Sequence, residues 1–200
     1  LDTSLLEQLG LIHLALILAA YLLGSFSSAI TLCAIMGYPD PRSQGSNNPG
    51  ATNVLRIAGK KAAAVTLLGD LLKGFIPVLA AHFLFENTFA TALTGFAAFL
   101  GHCFPIYYQF KGGKGVATAF GFVLAFHWLT GLIIVGIWLI VAKVFKLSSL
   151  AALIAFICLP FIYYYQQPEF SITSLLALMT LILLYRHKSN ISRLLQGKEL

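Results

Sequence analysis

Long apolar runs separated by short polar segments fill most of the chain. A bilayer core of roughly 30 Å needs about 20 apolar residues in a helix, and most of these runs reach or approach that length. The pattern therefore predicts an all-α, polytopic integral membrane protein, with residues 1–200 forming one membrane-embedded domain. Seven transmembrane helices are predicted, at Leu11–Ile35, Ala62–Phe85, Phe89–Tyr108, Val116–Phe126, Trp128–Phe145, Ser149–Tyr165 and Phe170–Tyr185.

The fourth run is short, since at about 1.5 Å per residue it covers only about 20 Å. Charge favours counting it as a separate span. With seven spans and an outer N-terminus, every Lys and Arg except Lys73 falls in an inner segment, as the positive-inside rule requires. If the fourth and fifth runs formed one helix, the last two basic clusters would move outside. We therefore predict a short fourth helix, an outer N-terminus and a cytoplasmic C-terminus. In this arrangement the outer acidic residues are Asp2, Glu7, Glu86 and Glu169.

The composition excludes several other classes of protein. With 58% hydrophobic and 10% charged residues, the chain is unlike an ordinary soluble domain, which is about 25% charged. The net charge of +6 is interpreted as an orientation signal rather than as affinity for nucleic acid. Cys33, Cys103 and Cys158 have no metal-binding or redox spacing.

The longest inner loop, residues 37–56, has a composition that suits a phosphate group. It contains two arginines, Arg42 and Arg56, and several glycines that permit unusual backbone conformations. The spacing of Gly45 and Gly50 is similar to that of a nucleotide phosphate loop, but Ala51 replaces its lysine and no strand precedes it. A polar hairpin whose glycines and prolines only turn the chain is the alternative. The neutral hydrogen-bonding side chains of the loop are Ser46, Asn47, Asn48, Thr52 and Asn53.

A second inner loop, residues 110–118, leads directly into the fourth predicted helix. Gly112, Gly113 and Gly115 surround Lys114. Free backbone N–H groups, the positive end of a helix and an ammonium group can therefore meet at one anion. A lysine-bearing turn that only satisfies the positive-inside rule would have a similar sequence, so the loop alone leaves both interpretations open.

Polar residues inside the apolar runs are further candidates. Asp70 and Lys73 lie at i and i+3 in the second run, where they either form an internal ion pair or take a direct part in a site. His102 lies near the Lys114 loop, and His187 emerges at the inner end of the last run. A packed core histidine and an interfacial cation are the respective alternatives. Ser149 opens the sixth run and could be only a helix cap.

In order along the chain, these residues resemble the PlsY family, the bacterial acyl-phosphate:glycerol-3-phosphate acyltransferases. The resemblance covers essentially the whole chain and is most specific in the two inner loops. One departure is Asn47, where the family often has glycine. The strings that resemble the family are Gly45-Ser-Asn-Asn-Pro-Gly-Ala-Thr-Asn-Val-Leu-Arg56, Asp70-Leu-Leu-Lys-Gly74, Gly101-His102, Phe110-Lys-Gly-Gly-Lys-Gly-Val-Ala-Thr118 and Arg186-His-Lys-Ser-Asn-Ile-Ser-Arg-Leu-Leu-Gln-Gly-Lys-Glu199.

The resemblance implies an enzyme of the bacterial inner membrane whose active site faces the cytoplasm. It would transfer a fatty acyl group from acyl phosphate to the 1-hydroxyl of glycerol 3-phosphate, giving lysophosphatidic acid and phosphate. By similarity, the catalytic residues are Lys114, His187 and Ser149. The residues expected to bind substrate are Ser46, Asn48, Thr52, Asn53, Arg56, His102, Gly112, Gly113, Lys114 and Asn190.

We expect no metal and no cofactor, since acyl phosphate is a co-substrate and no carboxylate cluster is present. The expected partners are the two substrates, membrane lipid and the enzyme that makes acyl phosphate, with no nucleic acid. A small anion transporter is the alternative from another class, because intramembrane charges and a short helix occur in transporters too. The predicted outer loops, however, contain no Lys or Arg that could form a second entrance for an anion.

Overall fold

The computed structural model of the protein describes residues 9–199, and their regular structure is helical. The predicted all-α fold is confirmed, and each of the seven predicted runs contains a helix. Asp2 and Glu7 lie outside the described residues. The helices are α1 (Leu11–Ser25), α2 (Ser28–Ile35), α3 (Ala51–Leu84), α4 (Thr88–Cys103), α5 (Val116–Phe126), α6 (Trp128–Phe145), α7 (Ser148–Gln166), α8 (Phe170–Arg186) and α9 (Lys188–Leu195), with a 3-10 turn at Ile106–Tyr108.

The lengths and compositions of these helices are those of a membrane protein. Within residues 9–199, four segments are long and apolar enough to cross a bilayer, and up to six qualify if each of two bent helix pairs counts as one span. Helix α5 is apolar but shorter. The seventh crossing and the orientation of the termini therefore stay predictions.

The first predicted span is not one continuous helix. Helix α1 ends at Ser25, and α2 restarts at Ser28 after a bend of 43°. Ser27 caps α2, because its Oγ accepts a hydrogen bond from the Ile30 N–H at 3.3 Å. The main-chain oxygen of Phe26 accepts a hydrogen bond from Lys73 Nζ at 2.9 Å. A break inside the membrane is tolerated because other parts of the protein satisfy the exposed backbone groups.

Helix α3 begins eleven residues earlier than predicted, at Ala51 instead of Ala62. Gly59 interrupts it with φ +81° and ψ −175°, a conformation that favours glycine. The residues before this break form a short helical segment that carries Thr52, Asn53 and Arg56. The last part of the predicted first loop, residues 51–56, is therefore helical, and the N-terminus of this segment lies beside Ser46.

Glycines allow several helix backbones to touch, and this fixes the position of α5. A Cβ at Gly121 of α5 would overlap the main-chain oxygen of Leu71 in α3. A Cβ at Gly74 of α3 would likewise overlap the main-chain oxygen of Thr118. Such close approach is typical of helices packed in membranes. Because the Lys114 loop leads into α5, this contact holds the loop beside α3.

Helix α9 continues from α8 after a bend of 63°. Its Asn190 is buried, whereas Leu195 at its end is 84% exposed. The sequence of the tail, with Ile191, Leu194 and Leu195 on one helical face, predicts an amphipathic helix, and a helix is present there. Its location along the inner membrane surface stays a prediction.

Candidate active site

One large cavity, of about 740 Å³, is bounded by α3, α5, α6, α7 and the tail of the chain. One part of its wall is polar and the rest is apolar. The polar part includes Ser46, Asn48, Thr52, Asn53, Arg56, His102, Lys114, Ser149, His187 and Asn190, together with Arg193, Lys198 and Glu199. The apolar part includes Leu67, Leu71, Phe120, Leu124, Val135, Trp138 and Leu139.

Ten of the twelve predicted site residues therefore lie around a single space, although they come from segments far apart in the sequence. The two exceptions are Gly112 and Gly113, which line a much smaller pocket behind the wall. Their main-chain oxygens accept hydrogen bonds from Arg186, at 2.5 Å to Gly112 and 3.0 Å to Gly113. Direct contact of these two glycines with substrate stays a prediction, and their observed contacts hold the loop in place.

Asn53 folds the first loop from within. Its side-chain oxygen accepts the N–H of Ser46 at 2.8 Å, and its Nδ2 donates to the main-chain oxygens of Pro41 at 2.8 Å and Gln44 at 3.0 Å. All of these partners belong to the loop. Asn53 thus presents Ser46 to the cavity, and its own contact with substrate stays a prediction.

Arg42 is likewise used within the loop and does not line the cavity. Its guanidinium binds Asp40, with an Nη2 to Oδ2 distance of 2.6 Å, and lies 5.6 Å from the centre of the Tyr108 ring. The hydrogen bonds from Arg42 lower the pKa of Asp40 below its usual value. Arg56 is therefore the arginine of this loop that faces the cavity.

Lys114 projects into the polar end of the cavity. Its Nζ donates a hydrogen bond to Asn190 Oδ1 at 2.5 Å. Burial lowers the pKa of Lys114 to about 8, an effect that the nearby Glu199 carboxylate opposes and Arg193 reinforces. Next to it, the first N–H groups of α5 have no acceptor within the helix, and Val116 and Ala117 line the cavity there. Positive charge and free donors thus meet at one point.

Glu199 connects the tail of the chain to the polar side chains around Lys114, and it was not singled out in the sequence. Its Oε1 accepts hydrogen bonds from Ser149 Oγ at 2.7 Å and Asn190 Nδ2 at 2.5 Å, while its Oε2 accepts one from Arg193 Nε at 2.6 Å. Although burial disfavours its charge, these hydrogen bonds lower the pKa of Glu199. An ionised carboxylate therefore orders three side chains of the cavity wall. No local pattern indicates this, since Ser149 is 50 residues away.

His187 is 2% exposed and lies at the junction of α8 and α9. Its Nδ1 is 2.8 Å from the main-chain oxygen of Leu183. Because a carbonyl oxygen only accepts, Nδ1 carries the hydrogen and Nε2 has the free lone pair. Burial lowers the pKa of His187 to about 4, so the ring is neutral near pH 7. It can therefore accept a hydrogen bond or a proton from a bound hydroxyl.

Asp70 and Lys73 form an ion pair, one of the two alternatives that their i, i+3 spacing left open, with Lys73 Nζ 2.9 Å from Asp70 Oδ1. His102 lies beside it and contacts the Lys114 loop. Among residues 9–199, no group of three or more His, Cys, Asp or Glu side chains is arranged to hold a metal ion. The absence of a required metal nonetheless stays a prediction.

Comparison with known proteins gives one consistent result. Residues 14–197 match the model of the glycerol-3-phosphate acyltransferase family. The chain is 51% identical, over 94% of its length and 96% of the relative's, to a glycerol-3-phosphate acyltransferase of Ruthia magnifica subsp. Calyptogena magnifica. It is 52% identical to that of Hydrogenovibrio crunogenus, over 94% of this chain and 90% of the other.

Solved structures agree with the sequence comparison. The chain superposes with a TM-score of 0.90, at 37% identity and 94% coverage of both chains, on the glycerol 3-phosphate form of PlsY (YgiH), an integral membrane glycerol 3-phosphate acyltransferase. The lysophosphatidic acid form of the same protein gives a TM-score of 0.87 at 36% identity, again with 94% coverage of both chains.

Proposed function

The chain belongs to the glycerol-3-phosphate acyltransferase family and is an acyltransferase, and we propose that its donor is acyl phosphate. The fatty acyl group passes to the 1-hydroxyl of glycerol 3-phosphate, which gives lysophosphatidic acid and inorganic phosphate. The observation that supports this most directly is the two-part cavity, in which cationic and neutral donors adjoin a long apolar wall.

The apolar part of the cavity suits the acyl chain. Leu67 and Leu71 of α3, Phe120 of α5, and Val135 and Trp138 of α6 line it. An apolar wall gives a hydrocarbon chain surroundings similar to those that it has in lipid. Bound in this way, the acyl chain places its reactive carbonyl group at the polar end.

The polar end suits two phosphate groups. Lys114, Arg56 and the N-terminus of α5 supply positive charge, and Ser46, Thr52 and Asn190 supply neutral hydrogen-bonding groups. Binding both reactants here converts a bimolecular reaction into an effectively intramolecular one, and this accounts for much of the rate enhancement expected. The solved relatives described as glycerol 3-phosphate and lysophosphatidic acid forms are consistent with this assignment.

The transfer needs no covalent enzyme intermediate, because acyl phosphate is already activated. The 1-hydroxyl oxygen forms a bond to the acyl carbonyl carbon, and the bond from that carbon to the bridging oxygen breaks. Phosphate leaves with the bridging oxygen, and Lys114 stabilises its negative charge. The hydroxyl proton passes to a phosphate oxygen of the donor or to His187 Nε2. Ser149 donates a hydrogen bond to Glu199, which also holds Asn190, the hydrogen-bond partner of Lys114.

The arrangement in the membrane follows from charge. We propose seven crossings, an outer N-terminus, and a cavity that opens to the cytoplasm of a bacterial inner membrane. The enzyme that makes acyl phosphate would deliver its product from the same side. Neither a metal nor another cofactor enters the proposed reaction.

A phosphate-release assay tests the proposed function. Purified protein in lipid cubic phase receives palmitoyl phosphate with or without glycerol 3-phosphate, and no metal or coenzyme A. Release that requires both substrates and yields lysophosphatidic acid is expected. Absence of product, with labelled glycerol 3-phosphate accumulating in sealed proteoliposomes, would instead identify a transporter.

A further inference from the structure

Three buried ionisable side chains, Asp70 and Lys73 of α3 and His102 of α4, form a cluster that we call the polar brace. Their exposed fractions are 2%, 5% and 7%. Asp70 Oδ1 is 2.9 Å from Lys73 Nζ and 3.7 Å from His102 Nδ1. Asp70 and His102 reach the wall of the large cavity, whereas Lys73 lies behind that wall.

The polar brace connects two irregular segments of backbone. At one end, Lys73 Nζ binds the main-chain oxygen of Phe26, at the break between α1 and α2. At the other end, the main-chain oxygen of His102 accepts the N–H of Gly113 at 3.1 Å. A Cβ at Gly113 would overlap Nε2 of the His102 ring, and one at Gly112 would overlap its main-chain oxygen. The glycine loop therefore rests directly on His102.

This contact leaves His102 poorly placed to remove the substrate proton. Gly113 covers Nε2, which is the ring nitrogen that a general base would present to substrate. The other ring nitrogen faces Asp70. His187, by contrast, lines the cavity and carries its free lone pair on Nε2. His102 therefore acts on the reaction by holding the glycine loop in position.

Stability alone does not account for the polar brace. Burying charged groups costs several kcal/mol, and well-packed apolar side chains of similar size often serve stability as well or better. An ion pair with fixed geometry does, however, define distances more sharply than apolar packing. The structure places such a pair directly behind the segment that presents Lys114.

We propose that Asp70, Lys73 and His102 position the glycine loop for phosphate binding. The polar brace fixes the backbone of Gly112 and Gly113 from one side, and Arg186 fixes it from the other. Together they direct the Lys114 ammonium and the first turn of α5 toward the phosphate. This inference rests on the proposed function and names three positioning residues, none of which contacts the reacting atoms.

A double-mutant cycle tests this proposal. Asp70→Asn keeps the size of the side chain and removes its charge, while Gly113→Ala forces the loop away from His102. We expect each single variant to lower kcat/KM on the order of 10-fold or more. The kcat/KM of the double variant should be about that of the less active single variant. If the two losses multiply, Asp70 does not act through the loop and the proposal is overturned.

A second readout does not depend on turnover. Inorganic phosphate should raise the Tm of the wild type by binding the loop, and this increase should shrink in Asp70→Asn and in Lys73→Met. Lys73→Met also serves if Asp70→Asn fails to fold. A lower Tm with an unchanged phosphate-dependent increase would mean that the polar brace is only structural.

Thr94→Ala is the matched control. Thr94 is buried in the same helix as His102 and donates to the main-chain oxygen of Ala90 at 2.9 Å, away from the loop. Thr94→Ala should leave the phosphate-dependent increase in Tm unchanged, and any loss of kcat/KM that it causes should multiply with the loss caused by Gly113→Ala.

The activity of the wild type separates the positioning role from the proposed function. If the wild type forms no lysophosphatidic acid, the proposed function fails; if it does and the cycle is multiplicative, only the positioning role fails.

Discussion

Lys114 is the residue whose chemistry is most directly tied to the proposed reaction. It is partly desolvated and hydrogen-bonded to a neutral amide, so its charge is available to a phosphate group. In the structure, Arg186 and His102 bind the main chain of the glycines beside it, and contact of these glycines with substrate stays a prediction. Residue types alone indicated an anion site here. They could not show which groups face the cavity, because that depends on helices far away in sequence.

Lys114→Met should remove most of the activity while the protein stays folded in detergent. Loss of one group that stabilises developing charge lowers kcat by about 10²- to 10³-fold. The matched control is Lys111→Met, in the same loop but exposed and outside the large cavity. Both variants are assayed for phosphate release after their folding is checked by thermal unfolding. Near-normal kcat in Lys114→Met would exclude the assigned role.

The pH dependence of activity should also report Lys114. A lysine is cationic below its pKa, and the pKa of Lys114 is lowered to about 8. We therefore expect kcat/KM to decrease as the pH rises through about 8, since kcat/KM reports the free enzyme. Lys114→Arg keeps its charge in this range, so its residual activity should lack that decrease. The same alkaline limb in Lys114→Arg would assign it to another group.

At the level of helices, local hydrophobicity predicted the elements but not their breaks. A hydropathy pattern averages over a segment, whereas the bend at Phe26 depends on Lys73, 47 residues later. The early start of α3 escaped prediction for a similar reason, because Gly59 separates a polar helical segment from an apolar one. Asn47 adopts φ +56°, so the site where the family often has glycine keeps a left-handed turn.

Close helix contacts should be more sensitive to added volume than open helix surfaces. Gly121→Ala pushes a methyl group into the backbone of α3, and overpacking of this kind typically costs about 1–3 kcal/mol. Gly136→Ala is the control, since nothing lies within 4 Å of a Cβ there. Thermal unfolding should show a clearly lower Tm for Gly121→Ala and an unchanged or slightly higher one for Gly136→Ala. Equal effects would argue against the α3–α5 contact.

For the whole molecule, sequence and structure agree on a helical membrane protein, and the structure adds a large cavity with a polar and an apolar part. The family motifs are scattered over the chain, yet most of their side chains surround this space. The sequence could not predict that Glu199 would order Ser149, Asn190 and Arg193, because those contacts arise only when the tail folds back. Orientation in the bilayer rests on charge distribution alone.

Cysteine labelling tests that orientation. Lys146 and Gln167 flank opposite ends of α7. In a variant whose three cysteines are replaced by alanine, Gln167→Cys should react with a membrane-impermeant maleimide in intact cells. Lys146→Cys should react only after the cells are opened. The reverse pattern would place the basic loops outside and contradict the predicted topology.

The central claim is that the 1-hydroxyl oxygen of glycerol 3-phosphate forms the new bond to the acyl carbon of acyl phosphate, and an isotope measurement tests it. Glycerol 3-phosphate carrying oxygen-18 in its 1-hydroxyl is incubated with palmitoyl phosphate and the purified enzyme, and the products are weighed by mass spectrometry. We predict that the label stays in the ester of lysophosphatidic acid and that the released phosphate is unlabelled. Labelled phosphate, or phosphate release without acylated product, would contradict the proposed reaction.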